Sequence, residues 1–349
     1  MQLCQHISST LLCTILFTCL SVNAKPLPTN SSENAEFSIV EPGHPITFPF
    51  DHRLHPGFQS EWWYITANLQ DEDNNQYGIQ FTLFSSASLT GNTKQRIFFA
   101  HAALTTTDNF YHAERYARSD MGHAGVEYQP WQAYLDHWQF TGTEQQPLPG
   151  KLQVSEPAFA YQLKLSDSDY FLQGDQGFSP KNNDASLASY YYSAPFIEVS
   201  GNIHVEGKSI AVRGKAWLDR EWSSNFIEID KIGWDWLSLH LDQDTALMLY
   251  RVRSNREILL YGRIMHRDGR QTTIAPTDIN WRAVASQRFS GKDYPIEWRL
   301  EIPSQQITLD IQPINNNQFL NTRVPYWEGA VITKGSHEAQ GYLELFGER

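Results

Sequence analysis

Cysteine is scarce in this sequence. Its three cysteines, Cys4, Cys13 and Cys19, all lie at the beginning of the chain. If that segment is removed on export, the rest of the protein has none, and disulfide bonds, thiolate catalysis and cysteine-based zinc sites are excluded together. A secreted chain without disulfides depends on a large hydrophobic core for its stability.

Several catalytic signatures are also missing. The sequence has no Gly-x-Ser-x-Gly elbow, no His-Glu-x-x-His zinc motif, no glycine-rich phosphate loop and no dinucleotide fingerprint. The common hydrolase and oxidoreductase classes are therefore unsupported. We expect neither a cofactor nor a metal ion.

Basic residues are outnumbered by acidic ones, 27 to 39, and the net charge is −12. Nucleic acids are bound by basic patches, so we predict no nucleic-acid partner. The length of 349 residues predicts two domains, because single cores rarely grow beyond about 250 residues. With 41% hydrophobic and 19% charged residues, the chain can form packed cores.

The N-terminus carries an apolar run over residues 11–22, which is too short to span a bilayer but typical of a signal peptide. The small side chain of Ala24 favours cleavage there. We therefore predict a signal peptide over residues 1–24 and an exported protein, periplasmic or secreted. The alternative is a lipoprotein modified at Cys19, although Phe17 is bulky where such sites carry small residues.

Alternating side chains predict β-strands along nearly the whole chain. In residues 245–253, Leu247, Leu249 and Arg251 share one face, while Met248, Tyr250 and Val252 share the other. Turn signals such as Asp268-Gly269 recur about every ten residues. No long segment shows helical periodicity, so we predict an all-β protein built as a sandwich or barrel.

The chain also shows a faint internal duplication. Three features of the first half recur in the same order in the second half: Trp62-Trp63-Tyr64 with Trp234-Asp235-Trp236, Asp136-His137-Trp138 with Asp278-Ile279-Asn280-Trp281, and Tyr192, Gly201, Gly207 and Trp217 with Tyr326, Gly335, Gly341 and Tyr342. These repeats predict that the chain contains two copies of one β unit. We predict a linker over residues 25–44, a first domain over 45–228 and a second over 229–349.

The segment Trp217-Leu218-Asp219-Arg220-Glu221-Trp222 is the strongest candidate for catalysis. On a regular strand, Trp217, Asp219 and Glu221 share one face, and Leu218, Arg220 and Trp222 share the other. Two carboxylates beside an aromatic wall can raise a pKa and create a general acid. The alternative is structural, with Asp219 or Glu221 ion-paired to Arg220, Arg251 or Arg253.

Two further clusters combine aromatic and polar residues. Asp51-His52-Arg53-Leu54-His55 precedes Ser60-Glu61-Trp62-Trp63-Tyr64, and Tyr326-Trp327-Glu328 lies near the C-terminus. His52 and His55 are candidate metal ligands, but in an extended chain they point to opposite faces, which favours loop residues that hydrogen-bond a barrel mouth. His101 and Tyr192 lie in apolar strands, where packing is the alternative to contact with a ligand. The 11 tryptophans serve either as core residues or as the wall of an apolar pocket.

These motifs resemble the secreted AttH proteins, which are related to the carotenoid 1,2-hydratases. The similarity extends over about residues 45–348. The matching segments are Pro49-Phe50-Asp51-His52, His55-Pro56, Glu61-Trp62-Trp63-Tyr64, Tyr190-Tyr191-Tyr192-Ser193, Trp217-Leu218-Asp219-Arg220-Glu221-Trp222, Gly233-Trp234-Asp235-Trp236, Tyr294-Pro295, Tyr326-Trp327-Glu328-Gly329 and Gly341-Tyr342-Leu343-Glu344-Leu345.

The resemblance implies two lipocalin-like β-barrel domains packed side by side. In the hydratase branch, an Asp followed by His and Asn protonates an isoprenoid double bond so that water can add. Asp219 occupies the place of that acid, whereas Arg220 and Glu221 replace the His-Asn pair. Fold alone therefore does not identify the reaction.

Two functions compete. The first is an exported protein that binds an apolar small molecule such as a lipid, isoprenoid or polyketide, with ABC transporter components as candidate partners. The second is an acid–base enzyme of the carotenoid 1,2-hydratase type, a hydratase or cyclase that acts on an unsaturated apolar substrate, with Asp219 and Glu221 as catalytic residues. The predicted ligand-binding residues are His52, Glu61, Trp62, Trp63, Tyr64, His101, Tyr192, Trp217, Trp222, Trp234, Trp236, Arg251, Tyr326, Trp327 and Glu328.

Overall fold

A computed structural model describes residues 37–90, 93–224, 232–254 and 257–347. The predicted signal peptide, most of the predicted linker and the predicted domain boundary lie outside these residues. The described chain is almost entirely β-strand, with four short 3₁₀ turns at Phe50–His52, Ser119–Met121, Pro276–Asp278 and Pro303–Gln305. No helix in this part of the chain has the length and apolar character needed to cross a membrane.

The first sheet is formed by residues 60–223. Its strands are β1 (Ser60–Gln70), β2 (Gln76–Thr90), β3 (Thr93–Thr106), β4 (Phe110–Arg118), β5 (Ala124–Tyr128), β6 (Trp131–Leu135), β7 (Trp138–Thr143), β8 (Gln146–Ser155), β9 (Phe159–Leu165), β10 (Phe171–Leu172), β11 (Phe178–Pro180), β12 (Ala188–Val205) and β13 (Lys208–Ser223). Their order is β4-β3-β2-β1-β13-β12-β9-β8-β7-β6-β5, and β10 and β11 pair with β12. The sheet curls on itself, because β6 lies next to β2, β3 and β4.

The second sheet is formed by residues 232–346. Its strands are β14 (Ile232–His240), β15 (Thr245–Ser254), β16 (Ile258–His266), β17 (Gln271–Ile274), β18 (Asn280–Phe289), β19 (Lys292–Ile302), β20 (Ile307–Pro313), β21 (Phe319–Leu320), β22 (Tyr326–Gly335) and β23 (Gln340–Phe346). Their order is β17-β16-β15-β14-β23-β22-β20-β19-β18, and β21 pairs with β22. The all-β prediction is confirmed.

The two sheets repeat one connectivity. In each, the first strand pairs with the last, so that β1 lies between β2 and β13, and β14 lies between β15 and β23. The sequence repeats lie on equivalent strands: Trp62 and Trp234 on β1 and β14, Trp138 and Trp281 on β7 and β18, and Trp217 and Tyr342 on β13 and β23. Both halves of the described chain are therefore built on the same β unit.

The interior of each sheet is a packed core. Along β1, Trp63 and Ile65 enter the first core, which also contains Phe81 and Trp138. The Tyr161 hydroxyl crosses that core and donates a hydrogen bond to the Gln80 carbonyl, 3.0 Å away. The second core is equally apolar and includes Leu247, Leu249, Trp298, Trp327 and Leu343. Aromatic and branched side chains fill these interiors as they fill small barrels generally.

A third apolar cluster lies between the two sheets. It is formed by the opposite faces of the same strands, and it includes Tyr64, Tyr191, Trp217, Trp236, Met248, Tyr250 and Tyr342. The sheets approach closely at Gly78 on β2, where an added Cβ would lie 2.7 Å from the Ala330 Cβ on β22. Only glycine fits such an approach. The period-2 pattern of each strand thus supplies one face to a core and the other to this junction.

Candidate functional site

The candidate site is a cavity of about 430 Å³ between the two sheets, not inside either one. Its wall is formed by β1, β2, β3, β4, β12 and β13 of the first sheet and by β14, β15, β22 and β23 of the second. The wall includes these predicted residues: Glu61, Trp62, Tyr64, His101, Asp219, Glu221, Trp234, Trp236, Tyr326 and Glu328. A volume of this size suits a small organic ligand.

The other predicted residues lie outside the cavity wall. Trp63 and Trp327 point into the two sheet cores. His52, Tyr192 and Trp222 lie together against the loop that precedes β1. Trp217 packs in the junction behind Asp219, and Arg251 pairs with Asp235. For Trp63, Tyr192, Trp222, Arg251 and Trp327 the exclusion follows from strand alternation, because a neighbouring residue on the same strand faces the cavity instead. Trp217 shares its face with Asp219, and His52 lies in a 3₁₀ turn, so alternation does not account for these two.

Asp219 has the environment expected of a proton donor. Its Oδ1 accepts hydrogen bonds from the Ser193 hydroxyl at 2.5 Å and the Trp217 indole at 2.7 Å, and its Oδ2 accepts one from the Tyr191 hydroxyl at 2.7 Å. Among the described residues, no Lys or Arg pairs with it. Burial raises the pKa of Asp219 to about 7, the three donors oppose that rise, and the charge of Glu221 adds to it.

Glu221 is the second acid on this face of β13. The Lys181 ammonium lies 2.7 Å from its Oε1, and the Ser189 hydroxyl donates to the same oxygen. Glu221 is thus ion-paired, as the structural alternative predicts, but its partner is Lys181 and not an arginine. Arg220 pairs with Glu61 instead, and Arg251 pairs with Asp235. The predicted division of faces along β13 is correct.

Two more carboxyls line the wall that the second sheet supplies. Glu328 on β22 and Glu344 on β23 are directly opposite each other in the strand register. The Tyr64 hydroxyl donates to the Glu328 Oε1 at 2.5 Å, and the Trp234 indole donates to the Glu344 Oε1 at 2.8 Å. Burial raises the pKa of Glu344 to about 7, and it raises the pKa of Glu328 well above its usual range, with the charge of Glu344 adding to that shift.

His101 is a neutral part of the wall. Its Nδ1 lies 2.9 Å from the Tyr326 hydroxyl, within hydrogen-bond distance. Burial lowers the pKa of His101 to about 4, although the nearby Glu114 acts in the opposite direction. At neutral pH this imidazole therefore supplies one donor and one acceptor and carries no charge.

The loop before β1 is held by a buried ionic network at one side of the cavity. His55 lies between two carboxylates, with its Nδ1 2.7 Å from Glu61 and its Nε2 3.1 Å from Asp51. Arg220 donates to the same Glu61 from 2.5 Å. Burial opposes a charge on His55, but Glu61 and Asp51 outweigh it and raise the pKa of His55. Both ring nitrogens of His55 are therefore engaged as donors.

His52 does not join His55. Its Nδ1 lies 2.7 Å from the Tyr192 hydroxyl, and burial with the nearby Arg220 lowers the pKa of His52 to about 3. In the described residues no group of His, Asp and Glu side chains has the arrangement of a metal site. The two histidines hydrogen-bond neighbouring side chains of the loop and strands.

Sixteen residues of the cavity wall are absent from the prediction, among them Lys181, Tyr191, Tyr250 and Glu344. Tyr192 is a predicted ligand-binding residue, but Tyr191 is the residue that shares the cavity face and contacts Asp219. Similarly, Arg251 is predicted, whereas its neighbour Tyr250 lines the cavity. Alternation places Tyr191 and Ser193 on one face of β12, and the register that pairs Ser193 with Asp219 across β12 and β13 identifies this face as the one that meets the cavity.

Comparisons with known proteins agree with this architecture. The sequence matches the family described as AttH-like over residues 39–348. The structure is similar to a candidate AttH protein of Nitrosomonas europaea, with 31% identity, a TM-score of 0.78, and coverage of 89% of this chain and 99% of that one. It is also similar to kievitone hydratase of Nectria haematococca, with 13% identity, a TM-score of 0.66, and coverage of 90% and 97%. No curated protein matches the sequence significantly. The predicted family and the predicted pair of lipocalin-like domains are confirmed.

Proposed function

Because the chain belongs to the AttH-like family and holds a buried acid in its cavity, we propose that it is an acid–base enzyme. The reaction is the addition of water to, or its removal from, a carbon–carbon double bond of an apolar substrate. Asp219 is the proton donor. The supporting observation is that the Asp219 carboxyl lies in the cavity wall, accepts three hydrogen bonds and forms no ion pair with a described Lys or Arg.

Glu61 is a second buried acid, but its protonation state is the opposite of that of Asp219. Burial alone would raise the pKa of Glu61, but the charges of His55 and Arg220 lower it to about 2, so Glu61 is ionised at neutral pH. Asp219 is equally buried but has no such partner in the described chain, and its pKa of about 7 keeps a proton available. A general acid works best when its pKa lies near the working pH.

The proposed step balances without a cofactor. The Asp219 carboxyl transfers its proton to one alkene carbon, and the neighbouring carbon becomes a cation. A water oxygen bonds to that cation, and the proton it loses returns to the Asp219 carboxylate. Trp62 and Trp236 line the cavity, and indole rings are suited to stabilise the transient cation.

A second candidate function is binding without chemistry. The cavity wall is mainly aromatic and aliphatic, and its volume of about 430 Å³ lies in the range of small-ligand pockets. On this proposal the protein carries an apolar molecule, and Asp219 only fixes its orientation. Export and delivery to an ABC transporter belong to this second proposal.

Incubation with candidate substrates in ¹⁸O-labelled water separates the two functions. Acyclic isoprenoid alkenes and prenylated phenols are suitable probes, because both present an apolar double bond. Mass spectrometry should detect a product that has gained one labelled water, and the Asp219→Asn variant should not form it. Native mass spectra that show bound but unchanged probes, identical for wild type and variant, would instead support the binding function.

A further inference from the structure

The second-sheet wall of the cavity contains a polar pair that the proposed proton transfer does not use. Glu328 and Glu344 are cross-strand neighbours, so their side chains lie side by side on one face. Glu328 is only 1% exposed. Its Oε1 accepts a hydrogen bond from the Tyr64 hydroxyl. Its Oε2 has no partner of ordinary hydrogen-bond geometry among the residues that the structure describes, although the Tyr326 hydroxyl is near enough to lower the pKa of Glu328.

An unpartnered oxygen in this position points to a missing ligand group. Buried polar atoms are nearly always hydrogen-bonded, and an orphaned one is costly in an apolar environment. The Glu328 side chain lines the cavity, so a molecule bound there meets this carboxyl. No ion pair joins Glu328 or Glu344 to a Lys or Arg in the described chain, and two adjacent carboxylates cannot both ionise at low cost.

The pair therefore holds a proton at neutral pH, consistent with the raised pKa of both acids. A protonated carboxyl presents one donor and one acceptor. It complements a neutral oxygen group such as a hydroxyl or a carbonyl. By contrast, a ligand carboxylate would face a site that is already rich in acids.

Resting on the function proposed above, we infer that the Glu328–Glu344 pair binds a hydroxyl or carbonyl oxygen of a neutral, otherwise apolar substrate. Asp219 lies on the first-sheet wall of the same cavity, so the oxygen group binds one wall while the double bond meets the other. The substrate class is thus an unsaturated apolar molecule with one neutral oxygen function. The pair acts in binding and positioning, not in proton transfer to the alkene.

Two probes of nearly equal shape test this inference. Calorimetric titration at pH 6 compares 2-naphthol with 2-methylnaphthalene, which replaces the hydroxyl by a methyl group. We expect 2-naphthol to bind at least about fivefold more tightly, the ratio expected of one neutral hydrogen bond. Glu328→Gln keeps a donor and should keep the preference, whereas Glu328→Leu should abolish it. Equal affinities in wild type, or a preference that survives in Glu328→Leu, would overturn the inference.

A second measurement covers the case in which Glu328→Leu does not fold. Infrared difference spectra should show a protonated carboxyl band that shifts when 2-naphthol is added. The shifting band should be missing from Glu328→Gln. Asp219 supplies a protonated carboxyl band in both proteins, so only the shifting band is diagnostic. The absence of a shifting band in wild type, or its persistence in Glu328→Gln, contradicts the inference.

The Asp219→Asn variant separates this inference from the proposed reaction. It should lose hydration activity but retain the preference for 2-naphthol. Retained hydration in that variant would contradict the role of Asp219 alone. Loss of the probe preference in the wild-type protein would contradict the role of the Glu328–Glu344 pair alone.

Discussion

The Tyr64 hydroxyl on the first sheet donates a hydrogen bond to the Glu328 carboxyl on the second, and the two oxygens are 2.5 Å apart. Both side chains are buried and both line the cavity. This bond joins the two sheets at the site itself. A change at the site can therefore alter the packing of the sheets, and activity measurements need a stability measurement beside them.

Removal of this hydroxyl should be measurably destabilising. Tyr64→Phe leaves the buried Glu328 Oε1 without its donor, which should lower the free energy of unfolding by about 1–3 kcal/mol. Urea denaturation measures this loss. Tyr111→Phe is the matched control, because its hydroxyl bonds Glu206 on the surface, and it should unfold like wild type. Equal effects of the two changes would mean that the Tyr64 bond contributes nothing.

Asp219→Asn should remove activity and keep the fold. The amide preserves the shape of the side chain but cannot deliver the proton, so turnover should fall roughly 100-fold or more. Circular dichroism should show an unchanged spectrum. Asp120→Asn removes a carboxylate from an exposed ion pair with Arg118 and should leave turnover at the wild-type level. Wild-type turnover in Asp219→Asn would exclude this residue as the acid.

The stability of wild type should depend on pH more strongly than that of Asp219→Asn. The pKa of Asp219 is raised in the folded protein from 3.8 to about 7. A raised pKa stabilises the fold at low pH, and this contribution is lost as the pH rises from about 4 through 7. Between pH 4 and pH 8, wild type should lose roughly 4 kcal/mol of stability relative to Asp219→Asn, at 1.36 kcal/mol per pKa unit. Parallel stability curves for the two proteins would contradict the raised pKa.

Turnover should follow the same titration. The proton donor must be protonated at the start of each cycle, so the rate should fall as the pH rises past about 7. A pH–rate profile on any accepted substrate measures this limb. A rate that stays constant from pH 6 to pH 9 would show that Asp219 does not supply the proton.

Strand periodicity predicted which residues share a face. Along β13 the division between Asp219 with Glu221 and Arg220 with Trp222 is correct, because successive side chains on a strand alternate. The same rule correctly placed Leu247 and Leu249 on one face of β15, with Met248 on the other. Family resemblance then added the two-barrel architecture.

The sequence does not show what each face of a strand contacts in the folded protein. Arg251 was selected as a cavity residue, but its face of β15 points into the second sheet, towards Trp281 and Trp298. Glu344 was overlooked, because its role depends on Glu328 across the strand pair and on Tyr64 from the other sheet. These relationships arise from the packing of two sheets distant in sequence, and a period of two carries no information about them.

The buried ion pair between Glu61 and Arg220 should be essential for stability. The Arg220 guanidinium is completely buried, lies 4.0 Å from the Trp63 ring centroid, and has Glu61 as its carboxylate partner at 2.5 Å. Glu61→Gln leaves that charge without a counter-charge and should cost about 3–5 kcal/mol. The control Glu198→Gln breaks an exposed pair with Arg267 and should cost about 1 kcal/mol or less.

The pH dependence of this loss identifies its electrostatic origin. The pKa of Glu61 is lowered in the folded protein from 4.5 to about 2, so its contribution is fully present above pH 4.5 and is lost as the pH falls towards 2. The difference between wild type and Glu61→Gln should therefore be largest at pH 5 to 7 and should shrink at pH 3. Urea denaturation at these pH values measures it. A difference that does not change with pH would mean that Glu61 stabilises the loop through shape and neutral hydrogen bonds, and not through its charge.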